Sequence, residues 1–310
     1  MTFSRIISYI LYCIARATLF VLGILPMAMS VGIMRGVAWL ASVIFRKRRR
    51  IARQQIEDAF QISSEEADKL ACQSFIHLGI MIAELSHAFV LTPETLENYI
   101  DFSDIRETDA ALLAAGKGLI VVTGHLGNWE LAASFARGIS PDLLTVARPL
   151  DNPYLDQLVN GWRGRLGMTV LPKGDKAALG ALKHLKKGGI FFILLDQNAG
   201  GKGIFPPFFG IPASTMDIAA QLSIRTGAPL IVNTLMRESP FRFKAVRRDP
   251  HYPDTKANRS VEALRLTAAM NADLENIIRE YPDQWLWIHR RWKTRPPVIE
   301  NPLEDRDHSK

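Results

Sequence analysis

The chain has 310 residues, 48% of them hydrophobic, enough to bury a full core as one large domain or two small ones. Lys and Arg number 38 against 31 Asp and Glu, and the formal charge of +7 favours an anionic partner: nucleic acid, anionic lipid or a phosphorylated substrate. The only cysteines, Cys13 and Cys72, exclude a disulfide framework and give no cysteine spacing for a metal.

At the N-terminus, 18 uncharged and mostly apolar residues run from Ala17 to Met34, between Arg16 and Arg35. A spanning helix needs roughly 20 such residues. Apolar flanks at 6–15 and 36–45 extend the run, so residues 1–45 read as a membrane anchor. It is either a single span or a bent hairpin, with Pro26 permitting a kink. No small-residue cleavage pattern follows a short apolar core, which argues against a removed signal peptide. Seven basic and no acidic residues then lie between Arg35 and Arg53, five of them in the run Arg46-Lys47-Arg48-Arg49-Arg50. Such a run places the following chain on the cytoplasmic face. It attracts anionic headgroups at about 1 kcal/mol per basic residue. A solvated basic linker or a nucleic-acid tag is the plainer alternative.

Residues 48–61 and 64–90 read as amphipathic helices, the second opened by a capping box at Ser63-Ser64-Glu65-Glu66. His77, Glu84 and His87 on that stretch read as structural rather than metal-binding. Beyond Pro93, apolar strands alternate with helices. Strands are expected at Leu119–Thr123, Leu143–Ala147, Thr169–Leu171, Ile190–Leu195, Pro229–Met236 and Arg242–Val246. Helices are expected near 128–137, 153–166, 176–187, 217–226 and 260–281. This order predicts an α/β fold with a mostly parallel sheet covered on both faces. No linker divides residues 46–310, which read as a single domain.

The stretch Gly118 to Glu130 carries the chemistry. A buried strand ends at Gly124, His125 follows at once, and Glu130 comes five residues later. Five positions on a continuous helix differ by about 140°, so His125 is placed on the turn and Glu130 in the first helical turn behind it. Gly124 and Gly127 allow a tight turn, Asn128 is a good helix cap, and free N–H groups at that helix start suit an oxyanion or a phosphate. An imidazole with an ordinary pKa of about 6.5 is a usable base at neutral pH, and a carboxylate can hold the imidazolium it becomes. The bland alternative is that His125 and Glu130 only tie strand to helix. Arg148 and Asp196 also follow strand ends, the edge of an α/β sheet where ligands bind. There is no Gly-x-Ser-x-Gly elbow and no His-Glu-x-x-His helix. Gly116-Lys117-Gly118 and Gly201-Lys202-Gly203 complete no phosphate loop. Phe205, Phe208 and Phe209 suit either an acyl groove or a core plug. Trp285, Trp287 and Trp292, among Arg290, Arg291, Lys293 and Arg295, suit a membrane interface, with single-stranded nucleic acid as the weaker reading.

These blocks resemble the bacterial lipid A biosynthesis acyltransferases, the lauroyl and myristoyl transferases of the lysophospholipid acyltransferase superfamily. Gly124-His125-Leu126-Gly127-Asn128-Trp129-Glu130 is similar to their His-x-x-x-x-Asp/Glu motif. In order follow Ala147-Arg148-Pro149-Leu150-Asp151-Asn152-Pro153, then Leu195-Asp196-Gln197 with Phe205 to Gly210, then Thr226-Gly227-Ala228-Pro229. The block from Gln284 to Lys293 closes the series, so the resemblance covers nearly the whole chain. It implies a glycerol-phosphate-acyltransferase-like fold and transfer of a fatty acyl chain from an acyl-carrier-protein or acyl-CoA thioester to a lipid A precursor hydroxyl. His125 would be the general base and Glu130 its partner. Gly127, Asn128, Arg148, Asn152 and Asp196 would bind substrate. No metal or organic cofactor is implied. The implied location is the cytoplasmic face of the bacterial inner membrane, on an anionic lipid surface and without nucleic acid. The motifs fix the reaction better than the acceptor. Another glycolipid, aminolipid or lysophospholipid fits the same chemistry, and a silent lipid-binding protein is the alternative of a different class.

Overall fold

A computed structural model describes residues 3–102, 105–132 and 143–297. The candidate anchor is two helices, α1 (Phe3–Ile24) and α2 (Met27–Ile44). They break at Pro26, because a proline pushes the residue before it out of the helical region. Both are long and apolar enough to cross a membrane, with mean hydropathy of 1.9 and 1.6. The basic run opens α3 (Arg46–Phe60), two residues earlier than its pattern suggests. Helix α4 (Ser64–Ala88) starts with the expected capping box, Ser63 and Glu66 each bonding the other's backbone N–H.

Helix α4 joins these two helices to the rest of the chain, packing against α1, α2 and α3. Gly79 makes the α2 contact possible, since a Cβ there would stand 2.5 Å from the Met34 carbonyl oxygen. His77, Glu84 and Ser86 on this helix are all buried, and the first two face inward to the site described below.

After α5 (Pro93–Glu97), β1 (Ile100–Asp101) and α6 (Arg106–Ala114), the chain builds a sheet. Its other strands are β2 (Leu119–Thr123), β3 (Leu143–Ala147), β4 (Met168–Pro172), β5 (Ile190–Leu194), β8 (Leu230–Ser239) and β9 (Arg242–Arg247). Among the described residues the order is β1-β9-β8-β2-β5-β3-β4. The pairings β8–β2, β2–β5, β5–β3 and β3–β4 are parallel, and β8–β9 is antiparallel. Strand β2 alternates between two cores, sending Ile120 and Val122 to one face and Leu119 and Val121 to the other. Both faces are covered, which is why its sequence is a continuous apolar run. Helices α7 (Pro153–Arg165), α8 (Asp175–Lys186), α9 (Ile218–Thr226) and α10 (Arg259–Glu280) flank the sheet, with the short pair β6 (Pro207–Phe208) and β7 (Ile211–Pro212). The α/β expectation holds.

Two local expectations change. Residues 129–132 form turns rather than the start of a helix, and the remainder of that expected helix falls outside the described residues. The tryptophans form no interfacial belt: Trp285, Trp287 and Trp292 are 2%, 0% and 8% exposed. They stack with Phe208 and Phe209, which are core plugs. The reason lies in the backbone, because residues 284–287 run as a strap behind the loop that carries His125. Gly127 N–H donates to the Gln284 carbonyl at 3.0 Å and Leu286 N–H to the His125 carbonyl at 3.0 Å.

Candidate active site

His125 leaves the carboxyl end of β2, the central strand, and its neighbour β5 delivers Asp196 beside it. The Asp196 carboxylate is buried and accepts three bonds. Oδ1 accepts from His125 Nδ1 at 2.8 Å. Oδ2 accepts from the His125 backbone N–H at 2.7 Å and from Trp285 Nε1 at 2.8 Å. A carboxylate on Nδ1 fixes the tautomer with its proton there, so Nε2 carries the lone pair. Gln197 Nε2 lies 3.2 Å from that nitrogen and marks where a donor hydroxyl can approach.

The sequence points to Glu130 as the partner of His125; the carboxylate hydrogen-bonded to the imidazole is Asp196. Glu130 is gripped instead by Arg163, which donates from Nε at 3.0 Å and Nη2 at 2.7 Å. Asp196 wins because its strand end lies one strand away in exact parallel register with β2 (Thr123 opposite Leu194), whereas Glu130 sits on a turn facing α7. Burial, the largest single influence, opposes the charged form of His125. The charge and hydrogen bond of Asp196, with the charge of Glu130, outweigh it and raise the imidazole above its ordinary value. Burial likewise pushes the Asp196 carboxyl up, but His125 and the Trp285 and backbone donors overcome this and bring it down to about 2.

The loop rests on a buried network of side chains from α4 and β8. Gly127 has φ +57°, and a Cβ there would lie 2.0 Å from the Leu235 carbonyl oxygen, so only glycine fits. Its carbonyl accepts from His77 Nε2 at 3.1 Å. Arg237 donates to His77 Nδ1 at 2.6 Å and pairs with Glu84, which also receives Asn128 Nδ2 at 3.0 Å. Burial first, then the charge of Arg237, holds His77 well below its ordinary pKa, consistent with a neutral ring that accepts at Nδ1 and donates at Nε2. Glu84→Ala leaves Arg237 as an unpaired buried cation, and the expected cost is about 3–5 kcal/mol. Chemical unfolding of the detergent-solubilised protein checks this, with loss of transfer activity alongside.

Gly127 and Asn128 therefore build the loop. Their N–H groups are taken by the Gln284 and Leu235 carbonyls, which removes them as anion donors. Asn152 also stands apart from the cleft. It caps α7 through Tyr154 N–H at 3.0 Å and ties that helix to α1 by donating to the Ser8 carbonyl at 2.8 Å. Arg148 lies at the rim, its side chain 78% exposed and paired with Asp151.

His125, Glu130, Arg148 and Arg163 line one cleft of about 590 Å³. Trp129, Val146, Leu150, Phe192, Leu194 and Met216 give it apolar walls, and Lys173 adds a cation. Among the described residues no three His, Cys, Asp or Glu side chains gather as metal ligands. Arg163, Trp285 and Gln197 carry no sequence signal of their own roles. A base with an oriented lone pair, beside an apolar cleft with a cationic rim, suits acyl transfer to an anionic lipid.

The family model described as bacterial lipid A biosynthesis acyltransferase matches residues 2–294 of this chain. The lipid A biosynthesis palmitoleoyltransferase of Escherichia coli (strain K12) is 29% identical over 263 residues, covering 83% of this chain and 82% of that one. The lauroyltransferase of the same organism is 26% identical over 272 residues, 85% of each chain. A phosphatidylinositol mannoside acyltransferase of Mycobacterium tuberculosis (strain CDC 1551 / Oshkosh) is 28% identical over 231 residues, 73% of this chain and 71% of its own.

Proposed function

This chain belongs to the bacterial lipid A biosynthesis acyltransferase family and is a membrane-associated acyltransferase, and from that premise we propose that it acylates a hydroxyl of a lipid A precursor. The observation that carries the mechanism is the Nδ1–Asp196 bond, which leaves His125 Nε2 as an acceptor on the cleft. The acceptor hydroxyl gives its proton to Nε2 as its oxygen attacks the thioester carbonyl. The tetrahedral adduct collapses, the C–S bond breaks, and the imidazolium returns the proton to the leaving thiolate. Products are an ester and a free thiol. Asp196 stabilises the transient imidazolium directly, and Glu130 does so through space while holding Arg163 on the cleft wall. Arg148 at the rim suits an anionic group of the acceptor. The donor is an acyl thioester of acyl carrier protein or coenzyme A, and the activated thioester makes a further cofactor unnecessary. The active domain works on the cytoplasmic face, where the basic start of α3 meets anionic lipid. Transfer by the purified full-length protein from a labelled acyl thioester to a lipid A precursor tests the reading. No labelled product with either donor would end it.

The base must be neutral to act. Because His125 is raised, kcat/KM is expected to climb with pH through a midpoint above about 6.5, the ordinary imidazole value. A pH–rate profile checks this; a midpoint below that value would contradict the assigned pairing.

A second acceptor reading has a specific support, the similarity to a phosphatidylinositol mannoside acyltransferase. The same chemistry then acts on another glycolipid. Offering both acceptors in the purified assay separates the two.

A further inference from the structure

A second cleft, of about 460 Å³, lies beside the catalytic one and shares Asn198 with it. Its walls are the first two turns of α3, with Lys47, Arg48 and Ile51, and the segment carrying His289, Arg290 and Lys293. No carboxylate lines it, and among the described residues no ion pair engages its four cations. Elsewhere in the same basic run Arg49 pairs with Asp68 and Arg53 with Glu57.

The two walls are locked in place. Buried Gln55, on α3, donates to the Trp287 and His289 carbonyls, both at 2.7 Å, and accepts from the Arg291 N–H at 2.8 Å. The boundary with the catalytic cleft is fixed too. Asn198 N–H donates to His289 Nε2 at 3.1 Å, and its side chain exchanges bonds with Thr294. Four cations on a fixed frame, without an ion pair among the described residues and with a helix N-terminus among them, suit a multiply charged oxyanion. The cleft opens where α2, an apolar helix long enough to span a membrane, gives way to α3.

We infer that this cleft binds a phosphate group on the headgroup of the lipid acceptor while the acceptor hydroxyl reaches His125 across Asn198. The inference rests on the acceptor reading above. The ligand is held at the membrane end, so the phosphate belongs to a lipid rather than to the thioester donor.

The test uses the full-length protein in neutral phosphatidylcholine nanodiscs. The pairs Arg290→Gln/Lys293→Gln and Lys47→Gln/Arg48→Gln remove cleft charge from exposed positions. Arg46→Gln/Arg50→Gln removes equal charge from the same basic run outside the cleft. With a lipid A precursor, each cleft pair should raise the acceptor KM by about tenfold or more, with kcat and donor KM unchanged. That penalty should vanish with the dephosphorylated acceptor, and the control pair should change KM far less. A rise in donor KM instead would assign the phosphate to the carrier and overturn the inference. An equal loss in the control pair would reduce it to general membrane attraction. A binding arm needs no turnover: nanodiscs doped with phosphatidic acid, a lipid phosphomonoester, should bind wild type about tenfold more tightly than either cleft pair. If wild type fails to acylate lipid A precursor yet this difference holds, the acceptor reading falls and the phosphate site stands. If the difference is missing, the site falls whatever the acceptor.

Discussion

Replacing His125 by alanine is expected to cut acyl transfer by about 10²–10⁴-fold, the usual worth of a positioned general base. The loss should be chemical rather than structural. The ring is only part of what holds the loop: the His125 backbone N–H still donates to Asp196 and its carbonyl still accepts from Leu286. Asp196 keeps its Trp285 donor, and the network of His77, Glu84 and Arg237 is untouched. Single-turnover transfer alongside an unfolding midpoint separates the two effects. Near-normal turnover by a folded variant would remove His125 from the chemistry.

Asp196→Asn is expected to be almost as severe, up to about 10⁴-fold in kcat, the size seen when a triad carboxylate becomes its amide. The amide can donate to Nδ1, which moves the imidazole proton to Nε2 and turns the lone pair away from the acceptor. It also removes the charge that raises His125, so the acid limb of the pH–rate profile should move to lower pH. Stability changes as well. Asp196 is depressed to about 2, so its contribution is present above its unfolded value of about 3.9 and is lost as pH falls toward 2. His125 is raised, so its contribution is full below about 6.5 and is lost as pH climbs through the higher folded value. In the variant both slopes should flatten. Retention of near wild-type kcat by folded Asp196→Asn would return the partner's role to Glu130.

Much of this site was legible in the chain because strand ends are legible. The apolar runs of β2, β3 and β5 ended where Thr123, Ala147 and Leu194 end them, which put His125, Arg148 and Asp196 on one edge. What the sequence could not give was pairing between distant segments. Glu130 is near His125 in sequence, but Asp196 is its neighbour across the sheet, and only the parallel register of β2 with β5 reveals this. Trp285 looked interfacial because aromatic residues among cations have that composition. Its burial follows from a strap that pairs with the His125 loop, a contact made across more than half the chain. Glu84 and Arg237 are invisible as a pair for the same reason, lying on α4 and β8. Asn128 and Asn152 illustrate the opposite case: the residue type alone marks a cap or a loop anchor, and the structure gives each that bonding.

The most direct measurement is mass spectrometry of lipid A from cells with and without this protein. Deletion should remove one whole acyl chain from lipid A. Wild type should restore it, and His125→Ala, expressed at the same level, should not. Lipid A of unchanged mass in the deletion strain would contradict the proposed acceptor, and full restoration by His125→Ala would contradict the proposed base.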